Sequence, residues 1–564
     1  MRVAVYLSAL GLLFAFYSTV SLGQTPGEID LIRERQDRLL QEQQKRLEEL
    51  RQLPGPSPQQ SADPTPDQSD RCFTIQSIEL SGATLLSATD KARLVEDYTG
   101  KCLGAGQLNQ LLKDITNHYL NRGYVTTRAY LPQQDLAGGV LHVTVVEGRL
   151  DGLNSSELAS DKELAMGFPG KTGDMLNLRE LEQLVEQINR LPSRQVQLDL
   201  VPGEEVGASV VQLQGQRSKP WRVNVSRHND GQLSTGEQQW GLGLDWDSPL
   251  GIADQLSLRA GGDAVSDSYR KSDNQSLYYS IPYGWWTFAY SYNQSYYRTK
   301  TQSNGFSFDQ DGDSSTHALR AERVMHRDSV SKTGVSFGLS HVRTNNFILG
   351  NRIGTSSQRL SEAQLGINHG RRIGNAYINA DIGWQRGIGA FDAQNEGHPR
   401  GGEPVARYNK YTLTLSYLQP FQLLGETFSF DSLLNGQRSE DVLFSPQRIS
   451  LGGLSSIRGY KDQSLTGDTG AYWRNQIRWR RPVSWELLQP FVQEYGVAFA
   501  YDVGVISGDS YNPEQKGRLS GNAIELSARG KYLAVSATFA RSLERPDALE
   551  RQEHPVYFRA DIFF

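Results

Sequence analysis

Two short strings in this sequence match motifs that support catalysis in other proteins. Residues 165–172, AMGFPGKT, resemble a phosphate-binding loop, and residues 334–338, GVSFG, match the nucleophile-elbow pattern. A phosphate-binding loop needs a helix directly after its Lys-Thr pair, whereas Gly173 and Asp174 follow here. The elbow needs a sharp strand-to-helix turn, but apolar residues alternate around Ser336 as in an ordinary strand, with Ser336 pointing inward. We therefore expect neither string to be catalytic.

Other classes of chemical site have little support. The nine histidines show no HExxH motif or other ligand spacing, so each is expected to be solvated rather than bound to a metal. The formal net charge of -5 provides no basic surface for a nucleic acid. The sequence thus predicts no enzyme, no metal site, no cofactor and no nucleic-acid partner.

One arginine has a setting that needs an explanation. Arg458 lies among small residues in the string SSIRGYK, residues 455–461, within a long polar segment near the C-terminus. Taken alone, it is best explained as a solvated surface residue. An arginine would be required at this position only if the folded chain enclosed its side chain beside a carboxylate. Whether this is so depends on the elements around the string.

The N-terminus predicts export. Arg2 supplies a positive charge, residues 3–20 are mostly apolar, and residues 21–23 are Ser-Leu-Gly. These are the features of a secretory signal peptide spanning residues 1–23. The mature chain is therefore expected to begin near Gln24.

The rest of the composition predicts a transmembrane antiparallel β-barrel. No window of about twenty consecutive apolar residues follows the signal peptide, yet the chain carries 55 Gly, 25 Tyr and 20 Phe. Residues 217–564 alternate between polar and apolar, as in residues 411–417 (YTLTLSY) and 556–564 (VYFRADIFF). At about 20 residues for each strand with its connection, this segment yields about 16 strands, enough to enclose an aqueous lumen.

Residues 24–53 are expected to form a tethered helix. They contain many helix formers, and their apolar stripe is narrow, so the rest of the surface should be hydrated. The Pro-rich segment 54–70 that follows should be an extended linker. A helix on such a linker is typical of a mobile part, although a coiled-coil dimerisation helix is the alternative. The stripe consists of Ile32, Leu39, Leu40, Leu47 and Leu50.

Residues 71–148 and 149–216 have the pattern of two small α+β modules, which suggests a periplasmic adaptor. The first is expected to contain strands at 73–80, 124–131 and 139–147 and helices at 89–98 and 106–121. The second has a helix at 178–190 and strands near 195–201 and 208–214. Both cysteines, Cys72 and Cys102, lie in the first module, so an exported chain is expected to join them in a disulfide worth about 3 to 4 kcal/mol.

Several strings together resemble one family, the outer-membrane transporters of two-partner secretion. This family contains the haemolysin, filamentous-haemagglutinin and contact-dependent-inhibition exporters, and the resemblance covers essentially the whole mature chain. It implies that each module is a POTRA domain and that the helix at 24–53 plugs the barrel pore at rest. The strings are RGYVTTRAYLPQQDL at 122–136, GVLHVTVVEG at 139–148, LNLRELEQ at 176–183, NRLPS at 189–193 and LGGLSSIRGY at 451–460.

The same resemblance gives Arg458 a role. Arg458, Gly459 and Tyr460 match the motif at the tip of a long extracellular loop, here around residues 445–475, that folds back into the lumen. The partner of the arginine in this family is an aspartate on the inner barrel wall, which corresponds to Asp502. Pairing an enclosed arginine with both oxygens of a carboxylate is chemically sensible. Ile457 stands where the family commonly has valine.

The function implied by the resemblance is export of a large exoprotein with an N-terminal secretion domain across the outer membrane of a Gram-negative bacterium. The POTRA domains would bind the unfolded exoprotein in the periplasm by adding a strand to a sheet edge. The cargo, whether haemolysin, adhesin or contact-dependent toxin, stays open. A barrel-assembly insertase is the main alternative, but it gives the N-terminal helix no role. A solute porin would need no adaptor modules, and a haem or iron receptor would need a histidine cluster.

Overall fold

The computed structural model describes residues 25–53, 72–155, 157–303, 306–396, 402–485, 489, 491–509 and 511–564. The predicted signal peptide and the whole of the predicted linker lie outside these residues. Within them, no helix is both long enough and apolar enough to cross a membrane.

The N-terminal helix α1, Pro26–Arg51, lies inside the barrel described below. It begins at Thr25, whose side chain accepts a hydrogen bond from the Glu28 amide while the Glu28 carboxylate accepts one from the Thr25 amide. Pro26 occupies the first turn, where a missing amide hydrogen costs nothing. The predicted apolar stripe is largely buried. The expectation of a hydrated polar face was wrong, because polar residues such as Gln43 and Arg46 are also buried, against the lumen wall.

The first module is a three-stranded sheet in the order β2-β5-β4, with β2 parallel to β5 and β4 antiparallel to it. Helix α3 places Leu111 and Ile115 in a common core with Leu141 and Val143 of β5. The expected strand at 124–131 is shorter because the Thr127 amide closes a turn onto the Tyr124 carbonyl. The elements are β1 Phe73–Thr74, β2 Ser77–Ser81, α2 Ala88–Glu96, β3 Cys102–Leu103, α3 Ala105–Asn121, β4 Arg128–Tyr130 and β5 Val140–Val146.

The second module has a sheet in the order β6-β8-β7 and two helices. Leu181, Leu184 and Ile188 of α5 pack on Val211 and Leu213 of β8. Neither β6 nor α4 was predicted from the sequence; α4 has only two turns and ends just before Phe168 and Pro169. The elements are β6 Arg149–Asn154, α4 Asp161–Gly167, α5 Leu178–Asn189, β7 Arg194–Pro202 and β8 Ala208–Arg217.

The remainder forms a closed antiparallel barrel, as predicted. Among the described residues sixteen strands form the wall, closed by β27 on β9, and β16 is a two-residue addition to β15. The strands are β9 Trp221–His228, β10 Gln239–Asp247, β11 Gln255–Asp263, β12 Lys271–Tyr283, β13 Trp286–Ser303, β14 Phe306–Arg327, β15 Ser331–Ile348, β16 Asn351–Arg352, β17 Arg359–Ile373, β18 Ala376–Ile388, β19 Asn409–Leu423, β20 Glu426–Ser439, β21 Ile449–Leu451, β22 Leu465–Gly467, β23 Gly470–Pro482, β24 Glu494–Ile506, β25 Gly517–Arg529, β26 Leu533–Glu544 and β27 Val556–Phe563. Of these, β21 and β22 pair with each other inside the barrel.

The alternation predicted for the wall is present. On β19, Tyr411 and Leu413 are exposed on the outer surface, whereas Thr414 and Ser416 are buried on the inner side. On the last strand, Val556, Phe558 and Ile562 are exposed on the outside. A period of two therefore separates a lipid-compatible surface from a polar lumen.

The second module covers one end of the barrel, here called the module end. The Gln183 and Gln187 side chains each donate to the Gly284 carbonyl in the turn between β12 and β13, at 3.2 and 3.3 Å. The Arg190 guanidinium donates to the Ala253 carbonyl in the turn between β10 and β11 at 2.5 Å. Helix α5 is thus docked on the short turns of the barrel.

Candidate functional site: the plugged lumen and the inward loop

A long segment between β20 and β23, residues 440–469, folds back into the barrel and is here called the inward loop. Its β21–β22 ribbon places Leu451 and Leu465 in a buried cluster with Ile457, Tyr460 and Tyr472. The family resemblance predicted this loop around residues 445–475. Residues from Gly470 onward instead belong to β23, where they alternate between lumen and exterior.

Arg458 lies at the tip of the inward loop and contacts Asp502 on β24. Its Nη2 and Nε donate to the two different carboxylate oxygens of Asp502, at 2.6 and 2.7 Å, and its backbone amide donates to one of them at 3.1 Å. Its Nη1 donates to Oε1 of Gln476 at 2.6 Å. Asp502 is fully buried and Arg458 is 5% exposed. The structure thus brings together the two residues that the sequence analysis paired.

The neighbours of Arg458 fit a confined site. A Cβ on Gly459 would lie 2.6 Å from the Arg541 carbonyl oxygen on β26, so a larger residue could not approach the wall this closely. The Tyr460 hydroxyl donates to the Glu544 carbonyl at 2.7 Å. The Tyr557 hydroxyl donates to the Arg458 and Tyr460 carbonyls at 3.2 and 3.3 Å. All three motif residues therefore contact the barrel wall.

A second carboxylate, which the sequence analysis missed, holds the same loop. Glu553 lies between β26 and β27 and is buried. Its side chain accepts hydrogen bonds from the backbone amides of Lys461, Asp462 and Gln463, at 2.6, 3.1 and 3.0 Å. Successive amides on one carboxylate fix the loop just past the Arg-Gly-Tyr motif. No sequence signal marked Glu553, because it is 90 residues or more away from these partners.

Helix α1 is held in the lumen by polar contacts to the wall. Arg46 donates to both oxygens of Glu322 on β14, at 3.1 and 3.0 Å, and lies 3.5 Å from Asp381 on β18. Gln43 donates to Asp381 at 2.7 Å and accepts from Ser416 on β19 at 2.9 Å. The alternation in residues 411–417 predicted that Ser416 faces inward, but it could not predict its helix partner.

The same helix also contacts the inward loop. The Gln36 side chain donates to the Ser450 carbonyl at 2.6 Å, and the Ser455 hydroxyl donates to Asp37. Leu39 and Leu40 pack against the apolar cluster of the loop. Helix, loop and wall therefore contact one another inside the lumen.

Two glycines let the helix approach the wall closely. A Cβ on Gly27 of α1 would lie 2.8 Å from the Tyr297 ring on β13, and a Cβ on Gly370 of β17 would lie 2.9 Å from a methyl carbon of Leu50. Leu50 forms a small apolar cluster at the module end with Leu47, Leu53 and Tyr377. The apolar stripe of α1 is thus distributed between this cluster and the inward loop.

The remaining residues singled out in the sequence fall outside the lumen site. Cys72 and Cys102 are joined in a disulfide, with Cα atoms 5.3 Å apart, between β1 and β3. In the phosphate-loop-like string, α4 ends at Gly167 and the next helix begins only at Leu178. Ser336 lies in the middle of β15, between strand residues whose side chains alternate.

Comparison with known proteins identifies the family. Residues 207–528 match the family model described as haemolysin secretion/activation protein ShlB/FhaC/HecB. Residues 73–148 match the ShlB-type POTRA domain and residues 149–202 a further POTRA domain. The family match covers the end of the second module and most of the barrel, including the inward loop.

Individual relatives agree with this match. The outer membrane transporter CdiB of Dickeya dadantii is 34% identical over 493 residues, which cover 87% of each chain. The hemolysin transporter protein HpmB of Proteus mirabilis is 31% identical over 415 residues, 73% of this chain and 72% of that protein. The solved structure of CdiB from Escherichia coli is 33% identical and superposes with a TM-score of 0.90, covering 96% of this chain and 99% of that one. The chain therefore belongs to the ShlB/FhaC/HecB family and is an outer-membrane transporter of two-partner secretion.

Proposed function

We propose that this transporter exports one large, unfolded exoprotein through the lumen that α1 now occupies. The observation that carries this proposal is the way α1 is held, by hydrogen bonds and ion pairs to the wall rather than by a continuous apolar core. Water can replace polar contacts of this kind at modest net cost, since each hydrogen bond contributes only about 1 kcal/mol. The apolar stripe of the helix is buried in two separate clusters, so departure of the helix also exposes these side chains.

The POTRA domains are proposed to receive the exoprotein in the periplasm. In the described residues, β2 and β4 are the edges of the first sheet, and β6 and β7 are those of the second. Tyr130 on β4 is 53% exposed beside its edge. An extended segment could add to such an edge through backbone hydrogen bonds, which tolerate many cargo sequences.

The inward loop is proposed to be the working part of the channel. Arg458 and Asp502 fix its tip to the wall, while Glu553 fixes the segment just after it. A passing chain needs a channel wall that does not collapse and an inward loop whose conformation is defined. We infer that the Arg458–Asp502 pair fixes one such conformation of the loop and that secretion depends on this pair.

The cargo is proposed to be a haemolysin, an adhesin or a contact-dependent toxin with an N-terminal secretion domain. The relatives named outer membrane transporter CdiB and hemolysin transporter protein HpmB support this range. The outer surface is proposed to contact outer-membrane lipid, because apolar side chains such as Phe337 and Ile382 are exposed around it.

A reversible tether tests whether the helix must leave. A Cβ at position 370 lies 3.2 Å from Cγ of Leu50, a separation suited to a disulfide, so Gly370→Cys and Leu50→Cys should join α1 to the wall. Secretion of the partner exoprotein should stop in the oxidised double variant and resume after reduction. Each single variant, reduced in parallel, controls for effects on the native disulfide. Undiminished secretion by the oxidised, joined chain would contradict the proposal.

A further inference from the structure

The module end of the barrel contains two cations on neighbouring strands that would repel each other without a partner. Arg327 at the end of β14 pairs in register with Lys332 at the start of β15. Like charges directly opposite each other in a sheet are destabilising. Both side chains are also poorly hydrated, with exposures of 5% and 12%.

Glu186 of the second POTRA domain bridges these two cations. Its Oε2 accepts from Arg327 Nη1 at 2.5 Å, and its Oε1 accepts from Lys332 Nζ at 2.5 Å. Glu182, one turn earlier on α5, lies 3.4 Å from Arg327 Nε. Docking of α5 therefore supplies a carboxylate that contacts both cations directly.

Lys332 has a second carboxylate partner, on the plug helix. Its Nζ lies 3.0 Å from Oε2 of Glu49 in the last turn of α1. Lys332 also pairs in register with Gly370, the residue that Leu50 of α1 contacts. One ammonium group thus joins the POTRA domain, the barrel and the plug helix.

The burial of Lys332 determines how the two carboxylates influence each other. An exposed lysine–glutamate pair contributes little because water screens it, whereas a pair of low exposure attracts more strongly. With α5 docked, the Lys332–Glu49 pair is held in a low-exposure site and the lysine has a fixed position. If α5 moved away, Lys332 would be hydrated and its contact with Glu49 would weaken.

We propose that Lys332 is a positioning residue that couples docking of the second POTRA domain to retention of the plug helix. This inference rests on the proposed role of α1 as a plug. Whatever displaces α5 from the turn between β14 and β15, such as a bound exoprotein segment, loosens α1 through Lys332. By linkage, loss of α1 from the lumen weakens the docking of α5 by the same factor.

The inference is tested by ion conductance of the full chain in planar lipid bilayers. The measured quantity is the open fraction, the fraction of time during which the pore conducts ions. Glu49→Gln should raise this fraction roughly five- to thirty-fold, as expected for loss of one contact of 1 to 2 kcal/mol. Its matched control is Glu48→Gln, which removes an exposed pair with Arg51 on the same helix turn. The control should leave the open fraction unchanged.

The decisive variant is Glu186→Gln, which lies on the POTRA domain and outside the pore. Loss of the bridge to Arg327 and Lys332 should weaken the docking of α5 and let water reach Lys332, and so raise the open fraction to a similar extent. Glu180→Gln on the same helix, which forms no ion pair among the described residues, should not raise it. Because both carboxylates act through one lysine, the Glu49→Gln, Glu186→Gln double variant should open less than the product of the single effects. In the background of Lys332→Met, neither glutamine substitution should add further opening.

Two outcomes would overturn the inference in distinguishable ways. If Glu186→Gln behaves like Glu180→Gln while Glu49→Gln opens the pore, the plug role stands but the coupling through Lys332 is wrong. If deletion of residues 26–51 leaves the open fraction unchanged, the plug role itself fails. Heat-modifiable migration of the barrel on gels checks that each variant is folded, and Glu49→Gln removes no contact within the barrel wall.

Discussion

Arg458 and Asp502 form a two-point hydrogen-bonded ion pair that joins the tip of the inward loop to the inner wall of the barrel. The two donors, Nε and Nη2, lie 2.7 and 2.6 Å from the two carboxylate oxygens. This geometry is specific to a planar guanidinium, so lysine could not reproduce it. Since Asp502 is completely buried, neither charge can be left without the other at low cost.

Removal of the aspartate charge should release the loop. Asp502→Asn leaves a buried guanidinium without its counter-charge, which should destabilise the inward conformation by about 3 kcal/mol. On intact cells, trypsin should then cleave after Arg458 or Lys461, which are buried in the native chain. Asp267→Asn, which removes an exposed pair with Arg270, is the control and should leave cleavage unchanged. Equal protection in both variants would count against the pairing as a loop anchor.

The polar contacts between α1 and the wall predict a difference between two arginines of the helix. Arg46→Gln removes the ion pairs to Glu322 and Asp381 and should favour departure of the helix by about 2 kcal/mol, a roughly thirty-fold shift. Arg51→Gln removes only an exposed pair with Glu48 and should have little effect. Ion conductance through the two purified variants compares them directly. Equal conductance would show that the Arg46 contacts do not retain the helix.

Sequence alone could predict those parts of the fold that depend on local periodicity. Alternation in residues 411–417 and 556–564 correctly assigned the outer and inner faces of β19 and β27, because a strand reverses side with every residue. The same rule correctly assigned Ser336 to a β-strand rather than to a nucleophile elbow. The seven-residue helix α4 was missed because two turns show too few repeats of a helical pattern.

The contacts within the lumen could not be predicted in this way. Arg46 and Glu322 are separated by 276 residues, and Lys461 and Glu553 by 92, so no periodic pattern links them. The Arg458–Asp502 pair was reached only because both residues lie in motifs that resemble those of a family. A charged residue at an inward position of a strand indicates that it faces the lumen, but the position of α1 decides which partner it contacts.

The disulfide predicts how the first POTRA domain responds to reduction. Cys72 and Cys102 close a loop of 30 residues, so Cys102→Ser should lower the free energy of unfolding of this domain by about 3 to 4 kcal/mol. Urea-dependent proteolysis of the full chain should show cleavage within residues 72–148 at lower urea, with the barrel unaffected. An unchanged urea midpoint would mean that the crosslink does not stabilise the domain.

The docking of the second POTRA domain should survive mild acid. Burial alone would raise the pKa of Glu186, but Lys332 and Arg327 outweigh it and lower the pKa from 4.5 to about 2. Because the pKa is lowered by docking, the contribution of Glu186 is present above its ordinary pKa and is lost as the pH falls through the lowered one. Spin labels on α5 and on the turn between β14 and β15 should therefore keep their distance down to about pH 4 and separate toward pH 2.

The matched control for that measurement is Glu186→Gln, which has no titrating group at this position. Its label distance should not follow the same acid transition. The charged groups facing position 186 are Arg327 and Lys332, with Glu182 and Glu49 beyond them. Separation of the labels in the native chain already between pH 6 and 5 would contradict the assignment of docking to the Glu186 bridge.

The role of this chain as a transporter that works through its inward loop is tested most directly by secretion of its large partner exoprotein. The measurement compares cells that contain the native chain, no chain, or the Arg458→Ala variant, with the amount of barrel in the outer membrane measured in each. A transporter whose loop works through Arg458 predicts exoprotein in the medium only with the native chain, and near-complete loss with the variant at equal barrel levels. Exoprotein in the medium without the chain would contradict its role as the transporter, and full secretion by Arg458→Ala would contradict the role of the loop.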